Sequence, residues 1–346
     1  MAVTGPPSLD LEANASSSAG SSLGWRTDTA GMQEERKALA AAVTGSALWG
    51  LSGTAAQVVV QSYVFPVWGL VTVRMLGAAF LLLLIGRPKW PRPWTASFVA
   101  MGIFGLVGSQ FTYLEALFYS NVTTATLLQF LFLPMVAGYE LATGAIRWSA
   151  RWAVLLAFAA AGTVLLVGTI TSAGFSILIT PLGLTFGLAS AVAGAYYTLA
   201  NRGFVQAQSV WWVSTWGFFV GGVVTAPIGL WSLTQYHWPT TEARGALLAG
   251  LILFVTIAGT LLAFSLFVYG LRSLKATEAG IAGSFEPIVA AAAGFALLGV
   301  ALSALQYVGG GLIVVAVAVL GASVQGRRER ARRLPPPEPP PAPLHP

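Results

Sequence analysis

The sequence predicts an all-α membrane protein of ten transmembrane helices, arranged as two inverted five-helix repeats. Three observations lead there. Of 346 residues, 56% are hydrophobic and 9% charged, with a mean hydropathy of +0.74; a soluble domain carries roughly a quarter charged residues. The apolar residues fall in continuous runs of about 20, the length a helix needs to cross hydrocarbon. Lys and Arg gather in alternate loops between those runs.

Taken in order, residues 1–33 are Ser-, Gly- and Ala-rich, lack periodicity and are expected to form a disordered tail, not a signal peptide. The first repeat is assigned to residues 34–172. Its spans lie near 38–60, opening after the charged knot Glu34–Lys37; 65–86, between Pro66 and Arg87; and 95–118, ending at the linker "SNV". So short a linker forces an antiparallel hairpin with the fourth span, 122–143; the fifth, 151–170, ends at "TSAGFS". The second repeat, 173–326, holds spans near 177–200, 209–231, 246–269, 277–298 and 303–324. Residues 327–346 are a basic cluster followed by polyproline, an extended solvated tail. The runs are continuous, not alternating, which argues against a β-barrel.

Charge tests the count of ten. With the N-terminus in the cytoplasm, sixteen of the eighteen Lys and Arg fall on the inner side; only Arg244 falls outside, and Arg74 lies within a span. A wrong helix count would scramble that asymmetry. The repeat itself emerges at an offset of 153 positions, which brings Ser120 onto Ser273, Thr124 onto Thr277, Pro134 onto Pro287, Ala137 onto Ala290 and Gly168 onto Gly321. Five helices per copy insert the second copy upside down, an arrangement that permits alternating access.

Composition also excludes chemistry. There is no cysteine, and both histidines, His237 and His345, lie outside the spans, so no metal site and no cofactor are expected. The spans contain no Ser–Lys, Asp–Asp or His-metal constellation, and the glycine runs lack the Lys-Ser/Thr of a phosphate loop. Net charge is +6, and seven of the twelve acids lie before the first span or after the last. That pattern suits anionic lipid headgroups and not nucleic acid.

Ionisable groups at bilayer depth are costly and call for a partner or a purpose. Arg74 and Glu286 both fall near the midplane. Either they pair and lock helices together, or Glu286 binds a cationic group or a proton. Pro287 follows Glu286 and should free the carbonyl of Gly283, as Pro134 should free that of Phe130. A freed carbonyl must face protein or a watery cavity. Polar residues recur at helical spacing: Gln110 with Tyr113, Thr126 with Gln129, and Ser190, Gly194, Tyr197 and Asn201. Such stripes suit a cavity wall or interhelical hydrogen bonds. Trp49 and Trp216 lie inside spans and serve either a substrate or the core. Glu115 reads as an interfacial carboxylate, and Glu140 as the ion-pair partner of Arg147 and Arg151.

"ALWGLSG" at 47–53, Arg74, "LLQFLFLP" ending at Pro134 and "GSFEPIVAAAAGFALLG" at 283–299 resemble EamA-type permeases of the drug/metabolite transporter superfamily. The resemblance covers about 38–325. It departs where the family often carries Gly-Glu: here stand Gly144-Ala145 and Gly299-Val300. It implies a ten-helix inverted repeat around a central cavity and the transport of small organic metabolites or drugs.

The expected function is therefore secondary transport of an amino acid, amine or similar solute by alternating access, possible proton coupling included, and not an enzyme. A membrane receptor or enzyme without transport activity is the competing class. Substrate contacts are expected from Arg74, Glu286, Gln110, Tyr113, Gln129, Tyr197 and Trp49, with Pro134 and Pro287 as hinges. The expected partners are a small-molecule substrate and the bilayer; a homodimer is compatible with the sequence. Fifteen Arg against three Lys suggest a bacterial plasma membrane, with both termini cytoplasmic.

Overall fold

The computed structural model describes residues 12–86, 95–120, 122–167, 169–171, 174–176 and 180–298, together with 304–305, 307–316 and 319. The expected tail at 327–346, the first eleven residues, the basic loop at 87–94 and Gly299-Val300 lie outside these. The architecture is almost entirely helical. In chain order the elements are α1 (Glu12–Gln57), α2 (Val67–Gly86), α3 (Ala96–Tyr119), α4 (Val122–Gln129), α5 (Phe132–Ala142) and α6 (Ala150–Val167). A small antiparallel hairpin, β1 (Thr169–Thr171) and β2 (Gly174–Ser176), occupies the "TSAGFS" linker. There follow α7 (Pro181–Ala207), α8 (Val210–Thr234), α9 (Glu242–Gly270), α10 (Ala276–Gly283), α11 (Phe285–Leu298) and α12 (Tyr307–Ala316).

Five of these helices, α2, α3, α7, α8 and α9, are each long and apolar enough to cross a membrane. The chain is a multi-pass membrane protein. Large side chains such as Phe80, Ile85, Phe104 and Trp231 are more than 60% exposed on their outer faces, as lipid contact requires.

The sequence expectations change in three places. α1 starts at Glu12, so residues 12–33 continue the first helix where a tail was expected, although Ser, Gly and Thr outnumber the strong helix formers there. The spans expected at 122–143 and 277–298 are each two helices, α4 with α5 and α10 with α11, broken at Phe130-Leu131 and at Ser284. Each proline then stands third in the following helix, in the first turn, where the missing N–H has no intrahelical acceptor to lose. The carbonyl of Phe130 is not left free: it accepts from the N–H of Leu133 at 3.0 Å.

Three π-helical stretches went unread in the sequence: Val58–Ser62 closing α1, Met101–Val107 within α3 and Ile257–Leu262 within α9. π-turns release backbone groups from the regular ladder and recur at functional sites.

Packing follows a simple plan. α2 lies along α8, α3 along α7, and α1 along both the end of α9 and α11, while α5 rests on α7 and α10. Glycines set the distances. A Cβ on Gly222 of α8 would lie 2.8 Å from Leu76 Cγ of α2, and one on Gly162 of α6 would lie 2.7 Å from the carbonyl oxygen of Gly309 in α12. Gly222 and Gly162 thus serve helix packing. Where α1 approaches the end of α9, Glu34 accepts from Lys37 Nζ at 3.0 Å and from the Tyr269 hydroxyl at 3.1 Å. The hydrogen bond from Lys37 holds this exposed carboxyl below its usual range.

Candidate substrate-binding cavity

The segments at the helix breaks, α9 just beyond its π-turn and the "ALWGLSG" segment of α1 meet at a cavity among the helices. It encloses about 700 Å³ of empty space, its open part included. Trp49, Arg74, Gln110, Tyr113, Gln129, Tyr197 and Glu286 all line it, so the structure brings together the seven side chains singled out from the sequence. Pro134 and Pro287 do not line it; they follow the breaks whose residues do, among them Gln129, Phe130, Phe132 and Glu286. Phe264, Phe267 and Thr198 complete the wall with small residues of α1 and α3.

Local packing explains why these side chains converge. Gly50 lets α1 touch α11 at the site itself: a Cβ there would stand 2.5 Å from the carbonyl oxygen of Glu286 and 2.9 Å from the nitrogen of Ala290. One turn on, a Cβ on Gly53 would stand 3.2 Å from the Tyr113 hydroxyl. Trp49 is wedged against Phe264 and Phe267, with ring centroids 4.7 and 5.0 Å away. Tyr197 meets Phe264 edge-on at 5.7 Å.

Arg74 and Glu286 do not pair; among the described residues neither forms an ion pair. Arg74 is 5% exposed and Glu286 8%. Arg74 Nε donates to Thr260 Oγ1 at 2.7 Å. The hydroxyl of Thr260 lies 3.0 Å from the carbonyl of Val255, which takes its proton and leaves an oxygen lone pair for the guanidinium. Thr260 sits in the π-turn of α9 and is wholly buried. Sequence reading missed it, because a threonine in an apolar span carries no signal of its own. Two neutral groups on lining residues, the indole Nε1 of Trp49 and Oε1 of Gln110, are buried without a hydrogen-bond partner among the described residues. Each such group costs about 1–3 kcal/mol unless something meets it.

The polar stripes divide between both uses. Thr126 shares a hydrogen bond with the Tyr113 hydroxyl at 3.2 Å, fastening α4 to α3. Ser190 donates to the carbonyl of Ser109 at 3.4 Å, and Asn201 to that of Tyr197 at 3.0 Å. Trp216 is core, 1% exposed and packed on Phe219 at 5.6 Å. Glu115 is half-buried on α3.

Glu140 overturns its expectation. It is 2% exposed and makes no ion pair with Arg147 or Arg151. Its two oxygens instead accept from the backbone N–H groups of Ala276 and Thr277, at 3.1 and 3.0 Å, at the start of α10. Local charge in the sequence suggested nearby arginines; the tertiary partner is backbone 136 residues away.

Residues 181–322 match the EamA-like transporter family. The match runs from α7 to α12, and two relatives extend the likeness into the first half of the chain. The chain is 27% identical over 311 residues, 87% of its length and 99% of the other's, to the uncharacterized inner membrane transporter YicL of Salmonella typhimurium. It is 25% identical over 277 residues, 80% of its length and 90% of the other's, to the uncharacterized transporter YwfM of Bacillus subtilis. A crystal structure at 20% identity superposes with a TM-score of 0.67 over 84% of this chain and 98% of that one, which speaks for a shared fold.

Proposed function

We propose that this protein is a secondary transporter of small organic solutes that works by alternating access in the plasma membrane, with both termini cytoplasmic. One observation carries the reading: two unpaired ionisable side chains, Arg74 and Glu286, face one largely apolar cavity among the crossing helices. Leaving both charges at depth without pairing them has a cost that a purely structural role would avoid. A solute with a carboxylate and an ammonium group answers both at once. Arg74 offers terminal nitrogens suited to a carboxylate; Glu286 accepts an ammonium group, or a proton when the solute lacks one. The aromatic wall of Trp49, Tyr113, Tyr197 and Phe264 then takes the apolar part, with the Trp49 and Gln110 groups available for its polar edge.

The neighbour pattern supports alternating access. Exchanging the elements of the first half with their counterparts in the second turns α3 on α7 into α9 on α1, and α1 on α11 into α7 on α4–α5, while α2 on α8 maps to itself; all these contacts occur. Such exchange symmetry is what two inverted copies would produce. The names of the relatives agree with transport and supply no substrate.

The test is flux into proteoliposomes under an imposed pH gradient, using L-phenylalanine, phenethylamine and 3-phenylpropanoate, which share a ring and differ in charge. The zwitterion should be carried fastest, and Glu286→Gln should slow it and remove its pH dependence. Full rate and unchanged pH dependence in that variant would eliminate the role of Glu286. No flux of any member, or of a wider panel of amino acids, amines and drugs, would favour the receptor or enzyme class.

A further inference from the structure

We propose that Glu140 and Lys275 form a latch that closes the arginine-rich end of the cavity, and that its release opens the cavity toward that end. The inference rests on the alternating-access reading above and concerns a place that reading does not use.

The latch joins the two halves of the chain. Glu140 on α5 accepts from two successive backbone N–H groups of α10, Ala276 and Thr277. These belong to the first turn of α10, where N–H groups have no intrahelical acceptor and the helix dipole favours an anion. In the opposite direction, Lys275 Nζ reaches back to the carbonyl of Ala145, just past the end of α5, at 2.7 Å. A carboxylate from the first half and an ammonium from the second thus each satisfy backbone of the other. Lys275 is held for this by its own N–H, which donates to Glu278 Oε2 at 2.9 Å, and Arg202 Nε ties the neighbouring carbonyl of Leu274 to α7 at 3.2 Å.

Its position makes it a closure and not a general brace. Glu140 is eight residues beyond Phe132, and Ala276 ten residues before Glu286, both cavity-lining positions. At 1.5 Å per residue the latch stands about 12–15 Å from the cavity along both helices. Between the two, α5 and α10 are packed tightly: a Cβ on Gly280 would lie 2.8 Å from Leu133 Cδ1 and 3.4 Å from Phe132 Cε2. Parting α5 from α10 to open a path from the cavity toward this end breaks the Glu140 and Lys275 hydrogen bonds together. Arg147 follows Ala145 by two residues, Arg272 precedes Lys275 by three and Arg202 bonds Leu274, and the Lys/Arg distribution assigns this end to the cytoplasm.

The latch has no twin. At the 153-residue offset, Glu140 corresponds to Ala293 and Lys275 to Val122, and neither side chain can make such bonds. Inverted copies would otherwise close both ends alike, so this asymmetry biases the protein toward a state shut on the cytoplasmic side. Charge-assisted hydrogen bonds are about twice as strong as neutral ones, enough to tilt a balance between states a few kcal/mol apart.

The experiment uses the 346-residue chain, which contains no cysteine, with a single reporter, Thr198→Cys, in the cavity wall. A membrane-impermeant maleimide is applied from the cytoplasmic face of inside-out vesicles, and separately from the outer face of right-side-out vesicles. Replacing Glu140 by Gln, or Lys275 by Met, should raise the cytoplasmic labelling rate at least about tenfold, the shift expected for losing one charge-assisted hydrogen bond. Labelling from the outer face should fall in parallel. Rates unchanged on both faces would overturn the proposal. Rates raised on both faces would also overturn it, because the contact would then merely hold the bundle together. No step depends on transport, so a failed latch and a failed transport reading remain separable.

Discussion

At the scale of single residues, the cavity depends on side chains that are kept apart. The Thr260 hydroxyl accepts from Arg74 Nε, and the proposed function assigns the terminal nitrogens to a ligand. Thr260→Val retains the shape and removes the acceptor. It should raise the KM for L-phenylalanine by about tenfold, the order expected for disturbing one charge-assisted hydrogen bond, and Thr260→Ser should restore it. An equal loss in Thr260→Ser would show that the methyl group, not the hydroxyl, matters. Gly50 is a second such point. Gly50→Ala should cost about 1–3 kcal/mol, seen as a lower unfolding temperature in detergent, because the new methyl meets the backbone of α11 at Glu286 and not a yielding side chain.

The same scale shows how much of the site was legible. Arg74, Glu286, Gln110, Tyr113, Gln129, Tyr197 and Trp49 stood out because polar or bulky amphipathic groups are conspicuous in apolar runs, and the helices carry all seven to one cavity. Their role in binding remains the proposal tested by flux. Thr260 and Glu140 were missed for opposite reasons. One looked ordinary, and the other had arginines close by in sequence that are not its partners in space.

At the scale of elements, the prolines mark where helices stop. Proline has no backbone N–H to donate and crowds the carbonyl four residues earlier, so the sequence located the disturbance without deciding between a kink and a full break. The chain breaks three residues before each proline, at Leu131 and Ser284. Because both prolines occupy first turns, Pro134→Ala and Pro287→Ala should change the unfolding temperature little. Transport should fall severalfold if the break is functional, since alanine lets α10 run into α11 and α4 into α5. Equal loss of stability and transport would mean that the prolines serve only packing. The π-turns were beyond sequence reading, because they answer to distant partners: Thr260 in the turn of α9 meets Arg74, 186 residues away.

At the scale of the whole molecule, composition and charge distribution sufficed for a multi-pass helical membrane protein. The pairing of helices follows from contacts that no local pattern encodes. The exchange symmetry of those contacts, one cavity at their centre and one latch without a counterpart form a consistent picture of a bundle that opens alternately to two sides. Alternating access predicts a behaviour that a channel lacks. The most direct test is counterflow in proteoliposomes, with the solute of the charge series carried fastest. Vesicles preloaded with unlabelled solute should transiently accumulate labelled solute above its external concentration, faster than empty vesicles take it up. Label that only equilibrates, at a rate indifferent to preloading, would contradict the account.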